Sequence, residues 1–203
     1  MPGDAELLAA WSRGDEVAGN SLFERHFATL YRFFANKSFD AVDDLVQETM
    51  IRALNNADRY RAEGSFAAWL CGIARYVLLD HLRARKREQL SPEFDSVASL
   101  GASPSEHALR NQEARLLTTA LRNLPIDQQI TLELTYWEGF AGAEIAEILG
   151  VSPHTVRSRL TRARQSLEQE IHRLAEARMA ASTLEHLSRW AAEVRAAVDL
   201  SAE

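Results

Sequence analysis

Arg157, Arg159, Arg162 and Arg164 fall within one short stretch of the chain. Guanidinium groups hold phosphates and pair in fork geometry with guanine O6 and N7, so such a cluster suits nucleic acid. Thr155, Ser158, Arg162 and Gln165 recur at helical spacing, which puts them on one face with Arg157 and Arg159 beside it. A second set is acidic: Asp43, Asp44, Gln47 and Glu48. Paired carboxylates suit acid–base catalysis or a metal, but no His or Lys partner lies nearby, and acids at a helix start are favoured by the helix dipole. A third set, Tyr76, Asp80, Arg83 and Arg87, gives a basic helical face with an aromatic, the pairing that holds unstacked single strands. No nucleophile, phosphate loop or metal-ligand spacing accompanies them, so neither an enzyme nor a cofactor is expected. Cys71 has no second cysteine to pair with and reads as a small core residue.

These residues need helices to present them, and helical periodicity dominates the 203-residue chain. The expected fold class is all-α. A first helical block runs from about Asp4 to Gln89, with breaks at Gly14-Asp15, at Asn36-Lys37-Ser38 and at Arg61 to Gly64. Within it Val42, Leu45, Val46, Thr49, Met50 and Ala53 form the apolar side of one helix; Phe66, Leu70, Ile73 and Val77 do so for another, with Ser65 as its cap. The run from Ser91 to Ser105 is rich in Ser, Pro and Gly, lacks any amphipathic repeat and reads as a linker. A second block spans about Glu106 to Ile171. In it Gly150 suits a helix C-terminus, and Ser152 followed by Pro153 supplies a cap and a preset first residue. The result is helix, tight turn, helix, with Ile145, Ala146 and Leu149 expected to pack on Val156, Leu160 and Ala163.

Charge follows the same division. Residues 1–50 hold four basic and nine acidic side chains, residues 51–90 eight and four, residues 124–150 none and five, and residues 151–173 five and two. Acidic and basic blocks alternate twice, which suggests two modules, each with one face for a protein partner and one for DNA. A net charge of −6 opposes indiscriminate nucleic-acid binding by the chain as a whole. No run is long and apolar enough to span a bilayer, and Met1 to Glu6 lacks a signal-peptide pattern, so a cytoplasmic protein without membrane insertion is expected.

The strings Asp43-Asp44-Leu45-Val46-Gln47-Glu48-Thr49 and Leu124-Pro125-Ile126-Asp127-Gln128-Gln129, followed by Leu134 to Phe140 and the helix-turn-helix, resemble bacterial RNA polymerase sigma factors. The resemblance is to the sigma-70 family and its extracytoplasmic-function (ECF) subfamily. It implies two helical domains joined by a flexible linker: residues 1–90 as sigma region 2, 91–108 as the linker and 109–171 as sigma region 4. Residues 172–203 extend beyond them as an additional helical segment. The implied partners are core RNA polymerase, through its β′ clamp and β flap, promoter DNA and an anti-sigma factor. Asp43, Asp44, Gln47 and Glu48 would dock on the polymerase. Arg61, Glu63 and Ser65 would lie in a loop that captures a flipped minus-10 base, with Tyr76, Asp80, Arg83 and Arg87 along the melted strand. His154, Thr155, Arg157, Ser158, Arg159 and Arg162 would contact the minus-35 element, Arg162 at a base and Arg157 and Arg159 mainly at phosphates. Thr161 stands where some relatives carry an aromatic residue, so contacts made by that ring are missing here.

Some readings stay open at this level. Trp69 fits core packing or base stacking. Leu184, Leu187, Ala191, Val194 and Val198 make an amphipathic stripe beside Trp190, suited either to packing on the second module or to a regulatory contact. The alternative function is an autonomous helix-turn-helix regulator that binds duplex DNA without polymerase.

Overall fold

The computed structural model describes residues 1–62, 64–89, 112–175, 183–186, 189 and 192. Among them every regular element is helical, as the periodicity requires. The first module comprises α1 (Asp4–Trp11), α2 (Glu16–Ala35), α3 (Val42–Asn55) and α4 (Phe66–Gln89). The second comprises α5 (Gln112–Arg122), α6 (Ile126–Tyr136), α7 (Gly142–Leu149) and α8 (Pro153–Leu174). The linker at 91–108, Trp190 and most of the C-terminal stripe lie outside the described residues.

Helix boundaries follow local chemistry. Asp15 caps α2 by accepting hydrogen bonds from the amides of Val17 and Ala18. Ser65 Oγ accepts from the Ala68 amide at the start of α4. The Glu144 carboxylate accepts from the Ala141 amide at the start of α7. Gly150 ends α7 at φ 64°, and the Val151 amide then donates to Ala146 O at 3.0 Å. A side chain at that φ would be crowded, which is why glycine stands there.

In the first module the apolar side expected for α3 is buried in full, from Val42 to Ala53. It packs with Leu22, Leu30 and Phe34 of α2 and with Phe66, Leu70 and Val77 of α4. In the second, α5 lays Ala114, Leu117 and Leu121 against Leu132, Trp137, Ala163, Leu167 and Ile171. Leu184 packs on this second core, so the one described member of the C-terminal stripe takes the plain packing role.

One sequence expectation is corrected. Ile145, Ala146, Ile148, Leu149 and Val156 join the core of the first module, whereas Leu160 and Ala163 belong to that of the second. Val156 thus shares a core with Ile145, Ala146 and Leu149 as expected, while Leu160 and Ala163 turn to the other core. The first helix of the helix-turn-helix, α7, is short and apolar over a wide arc, and it fills that arc by lying on α4.

Cys71 sits fully buried on α4 as the sequence suggests, and burial pushes its thiol up to about 12, with the Glu138 carboxylate adding to the effect. The native chain should resist Ellman's reagent at mildly alkaline pH and release one equivalent of thiol only in strong denaturant. Fast reaction of the native chain would contradict this burial.

Candidate nucleic-acid interface

The basic helix α8 is held at its start by Ser152, whose Oγ accepts from the Thr155 amide at 3.1 Å, and by Pro153 in the first turn. The cap fixes where the turn ends and so which residues face out. His154, Arg157, Arg162 and Arg164 are exposed. Thr155 and Ser158 are half-buried, and Ser158 Oγ donates to the Thr155 carbonyl. Arg162 leans back along the helix, its Nε 3.4 Å from the Ser158 carbonyl. Arg164 lies over the Tyr136 ring, 5.6 Å from its centroid. Arg159 departs from the set: its side chain is 20% exposed and pairs with Asp127 at 3.5 Å. Asp127 also receives Arg75 of α4 at 3.1 Å.

In the first module Tyr76 is 58% exposed on α4, with Arg83 and Arg87 on the same open side. Asp80 is not free among them. It bonds Arg83 at 3.3 Å and Arg52 at 3.0 Å, and Arg52 in turn holds Glu48 at 2.7 Å. A continuous charge ladder therefore runs from α3 to α4, joining a residue of the acidic set to one of the basic set. Asp43, Asp44 and Gln47 are exposed at the first turns of α3, where the helix dipole favours acids. Burial, and then Asp43, raise the phenol of the neighbouring Tyr31 above its usual range.

The loop before α4 lines a cleft of about 210 Å³ formed by Arg59, Tyr60, Arg61, Ala62, Gly64, Ser65 and Trp69. Glu63 lies outside the described residues. Ala62 holds a left-handed φ of 55°, strained for a residue with a Cβ and common where a loop is built for a ligand. Trp69 takes the packing role, against Tyr60 at 5.0 Å and Phe66 at 5.5 Å, and its ring also lines the cleft. The cleft has one wall from the other module, Glu147 of α7.

The sequence reading missed Glu147 and the charged seam between the modules. Arg32 of α2 forks onto Glu138 at 2.6 and 2.8 Å, and Lys37 is bonded to Glu133. A signal was present: residues 124–150 carry five acids and no base, so their partners had to come from elsewhere. Among the described residues no group of His, Cys, Asp and Glu could hold a metal ion.

Residues 22–88 match the family model for sigma-70 region 2, and residues 114–167 match that for sigma-70 region 4. The chain is 32% identical to the ECF RNA polymerase sigma factor SigM of Mycobacterium tuberculosis over 166 residues, 81% of this chain and 82% of the relative. This chain belongs to the ECF RNA polymerase sigma factors. It is also 35% identical to ECF sigma factor SigC of the same species, over 79% of this chain and 87% of that one. Among solved structures, CnrH in complex with the cytosolic domain of CnrY aligns with a TM-score of 0.59 and 27% identity, covering 85% of this chain and 99% of that one. The sigma factor RpoE of Bartonella quintana, solved with the anti-sigma factor NepR, aligns with the same TM-score at 25% identity, over 75% and 96% of the two chains. The role of this sigma factor is accordingly in transcription initiation, with RNA polymerase and DNA as the family's partners.

The cap of the recognition helix is open to a direct test. Ser152→Ala removes the acceptor of the Thr155 amide and should lower stability by about 1 kcal/mol, measured by denaturant unfolding. An unchanged midpoint would show that the cap contributes nothing.

Proposed function

We propose that this sigma factor directs promoter-specific initiation by reading the minus-35 element with α8 and by holding the melted minus-10 strand with α4 and the Arg61 to Ser65 loop. The observation that carries the reading is a capped basic helix with its outer face open, on one chain with an exposed acidic helix end and a basic, aromatic helix face. Residues 109–171 form the minus-35 module. His154, Thr155, Arg157, Ser158 and Arg162 supply its contacts, Arg162 at a base edge. Arg159 joins them once it is released from Asp127. Residues 1–90 form the other module and 91–108 join the two.

In the first module Asp43, Asp44 and Gln47 offer carboxylate and amide groups to a basic partner surface, and we assign them to the polymerase β′ clamp with Glu48 at their edge. The second module would meet the β flap. Tyr76 supplies a stacking face and Arg83 and Arg87 a phosphate track, while Asp80 orients Arg83. Arg61, Glu63 and Ser65 belong to the loop that takes an extruded base. Two relatives of known structure were solved with CnrY and with the anti-sigma factor NepR; an anti-sigma factor is the corresponding regulator here. Among the described residues no helix is long and apolar enough to cross a membrane, and we place the chain in the cytoplasm with the polymerase.

The purified chain should co-elute with core RNA polymerase and confer promoter-specific transcripts, and replacing Asp43, Asp44 and Gln47 together by Ala should abolish co-elution. Duplex binding without any association with core polymerase would instead mark an autonomous regulator. Arg162→Ala should weaken minus-35 recognition by about 1–3 kcal/mol relative to scrambled duplex, measured by competition binding. Equal weakening on both duplexes would make Arg162 a phosphate contact.

A further inference from the structure

Helix α1 lies behind the minus-10 cleft rather than in it, and it is pinned to α2 at both ends. At its start the Asp4 carboxylate accepts hydrogen bonds from Arg25 Nη1 and His26 Nε2, the second at 3.1 Å. At its end Trp11 lies over Gly19, where an added Cβ would come 2.5 Å from the indole nitrogen, so glycine makes room for the ring. A carboxylate offers only acceptors, which puts the hydrogen on His26 Nε2. Burial outweighs the pull of Asp4 and holds that imidazole below its usual range, so a neutral ring faces the apolar core.

The His26 ring is 7% exposed and lies 4.9 Å from the ring of Phe66, the first residue of α4. Phe66 in turn meets Tyr60 edge-on at 5.2 Å and Trp69 at 5.5 Å, the two rings that line the minus-10 cleft. Tyr60 has a second side. With Ala5, Leu8, Ala9 and Ser12 of α1 it lines another cleft, of about 440 Å³, and burial and then Asp4 raise its phenol above the usual range. The aromatic wall of the minus-10 cleft is therefore backed by α1 and held in place by a ring that α1 fastens.

We propose that His26, held by Asp4, is a positioning residue for base capture: through Phe66 it sets the Tyr60 and Trp69 rings at the spacing that an extruded base needs, and α1 thereby tunes minus-10 recognition from behind the cleft. The inference rests on the minus-10 assignment made above. Rings in a close-packed cluster pass a displacement on, because the interior holds few voids into which one ring can relax. Stacking on a base requires a defined offset between ring planes, so a small movement of either wall is felt as lost stacking. The phosphate track does not share this support, since Arg83 and Arg87 lie several turns further along α4, remote from these rings. Loosening the clasp should therefore cost base recognition and leave phosphate binding alone.

Holoenzyme assembled from the full chain and core polymerase supplies the test. Transcript 5′ ends mapped on genomic DNA of the source organism locate a minus-10 element, and its melted strand is made with an abasic site at each position in turn. With the unaltered chain, affinity should fall about tenfold when the captured base is missing. His26→Gln, which keeps a donor for Asp4 but has no ring for Phe66, and Asp4→Ala should cut that ratio to about threefold or less, with affinity for the abasic strand and helical content unchanged. Asp4→Asn still accepts from His26 Nε2 and should keep the full ratio. An unchanged ratio in folded His26→Gln and Asp4→Ala chains, or equal weakening of base-bearing and abasic strands, would overturn the positioning role. If Asp4→Ala fails to fold, His26→Gln decides. An unaltered chain indifferent to abasic sites at every position would instead remove the minus-10 reading of the cleft, and the inference with it.

Discussion

An ammonium group withdrawn from water must find a counter-charge or lose its proton, and Lys37 has found one. Its Nζ is bonded to Glu133 and the Phe33 carbonyl and lies 4.6 Å from the Phe33 ring centroid. The counter-charge comes from a helix almost a hundred residues away in sequence, so satisfying this one group fixes α6 on the end of α2. Once α6 is fixed, its connection to α7 is short enough to deliver Ile145, Ile148 and Leu149 onto α4. Arg32 with Glu138 and Arg75 with Asp127 then close around the same axis. The arrangement of the two modules combines these ion pairs with the apolar packing of α7 on α4.

Buried pairs of this kind gain little net stability over apolar packing, because desolvation offsets most of the Coulomb attraction. Breaking one is another matter, since removing a partner leaves the other charge buried and unpaired. The seam is mixed, because Ile130 and Leu134 of α6 and Ile145, Ile148 and Leu149 of α7 lie in the first module's apolar core beside these ion pairs. The pairing also accounts for a chain that carries an overall acidic charge and still presents basic faces. Three of the five acids of residues 124–150, Asp127, Glu133 and Glu138, pair with bases of the first module, while Arg157 and Arg162 stay exposed on the outer side of α8.

Much of the chain was legible because its signals are local. The apolar stripe from Val42 to Ala53, the Gly150 turn and the Ser152 cap each require only neighbours within a few residues, and each stands in the structure as its sequence implies. Exposure of Arg157, Arg162, Tyr76 and Arg83 follows from the same periodicity. Trp69 was ambiguous for a physical reason, since a large ring at a helix start can be half in a core and half in a cleft, and it is. Arg159 looked equivalent to Arg157 from spacing alone; what separates them is Asp127, a residue on another helix.

The amino-acid sequence by itself determined the helices, their caps and turns, the identity of two modules and the polar faces they present, because backbone propensity, capping and amphipathic period act over one or two turns. Tertiary structure alone decided which of those faces remain available. How far the apolar arc of α7 extends from α8 onto α4, whether Glu147 faces water or the cleft at Gly64, and whether a lysine is exposed or buried depend on what another segment brings alongside. Burial and pairing energies are properties of contacts between distant segments, and no local pattern encodes them.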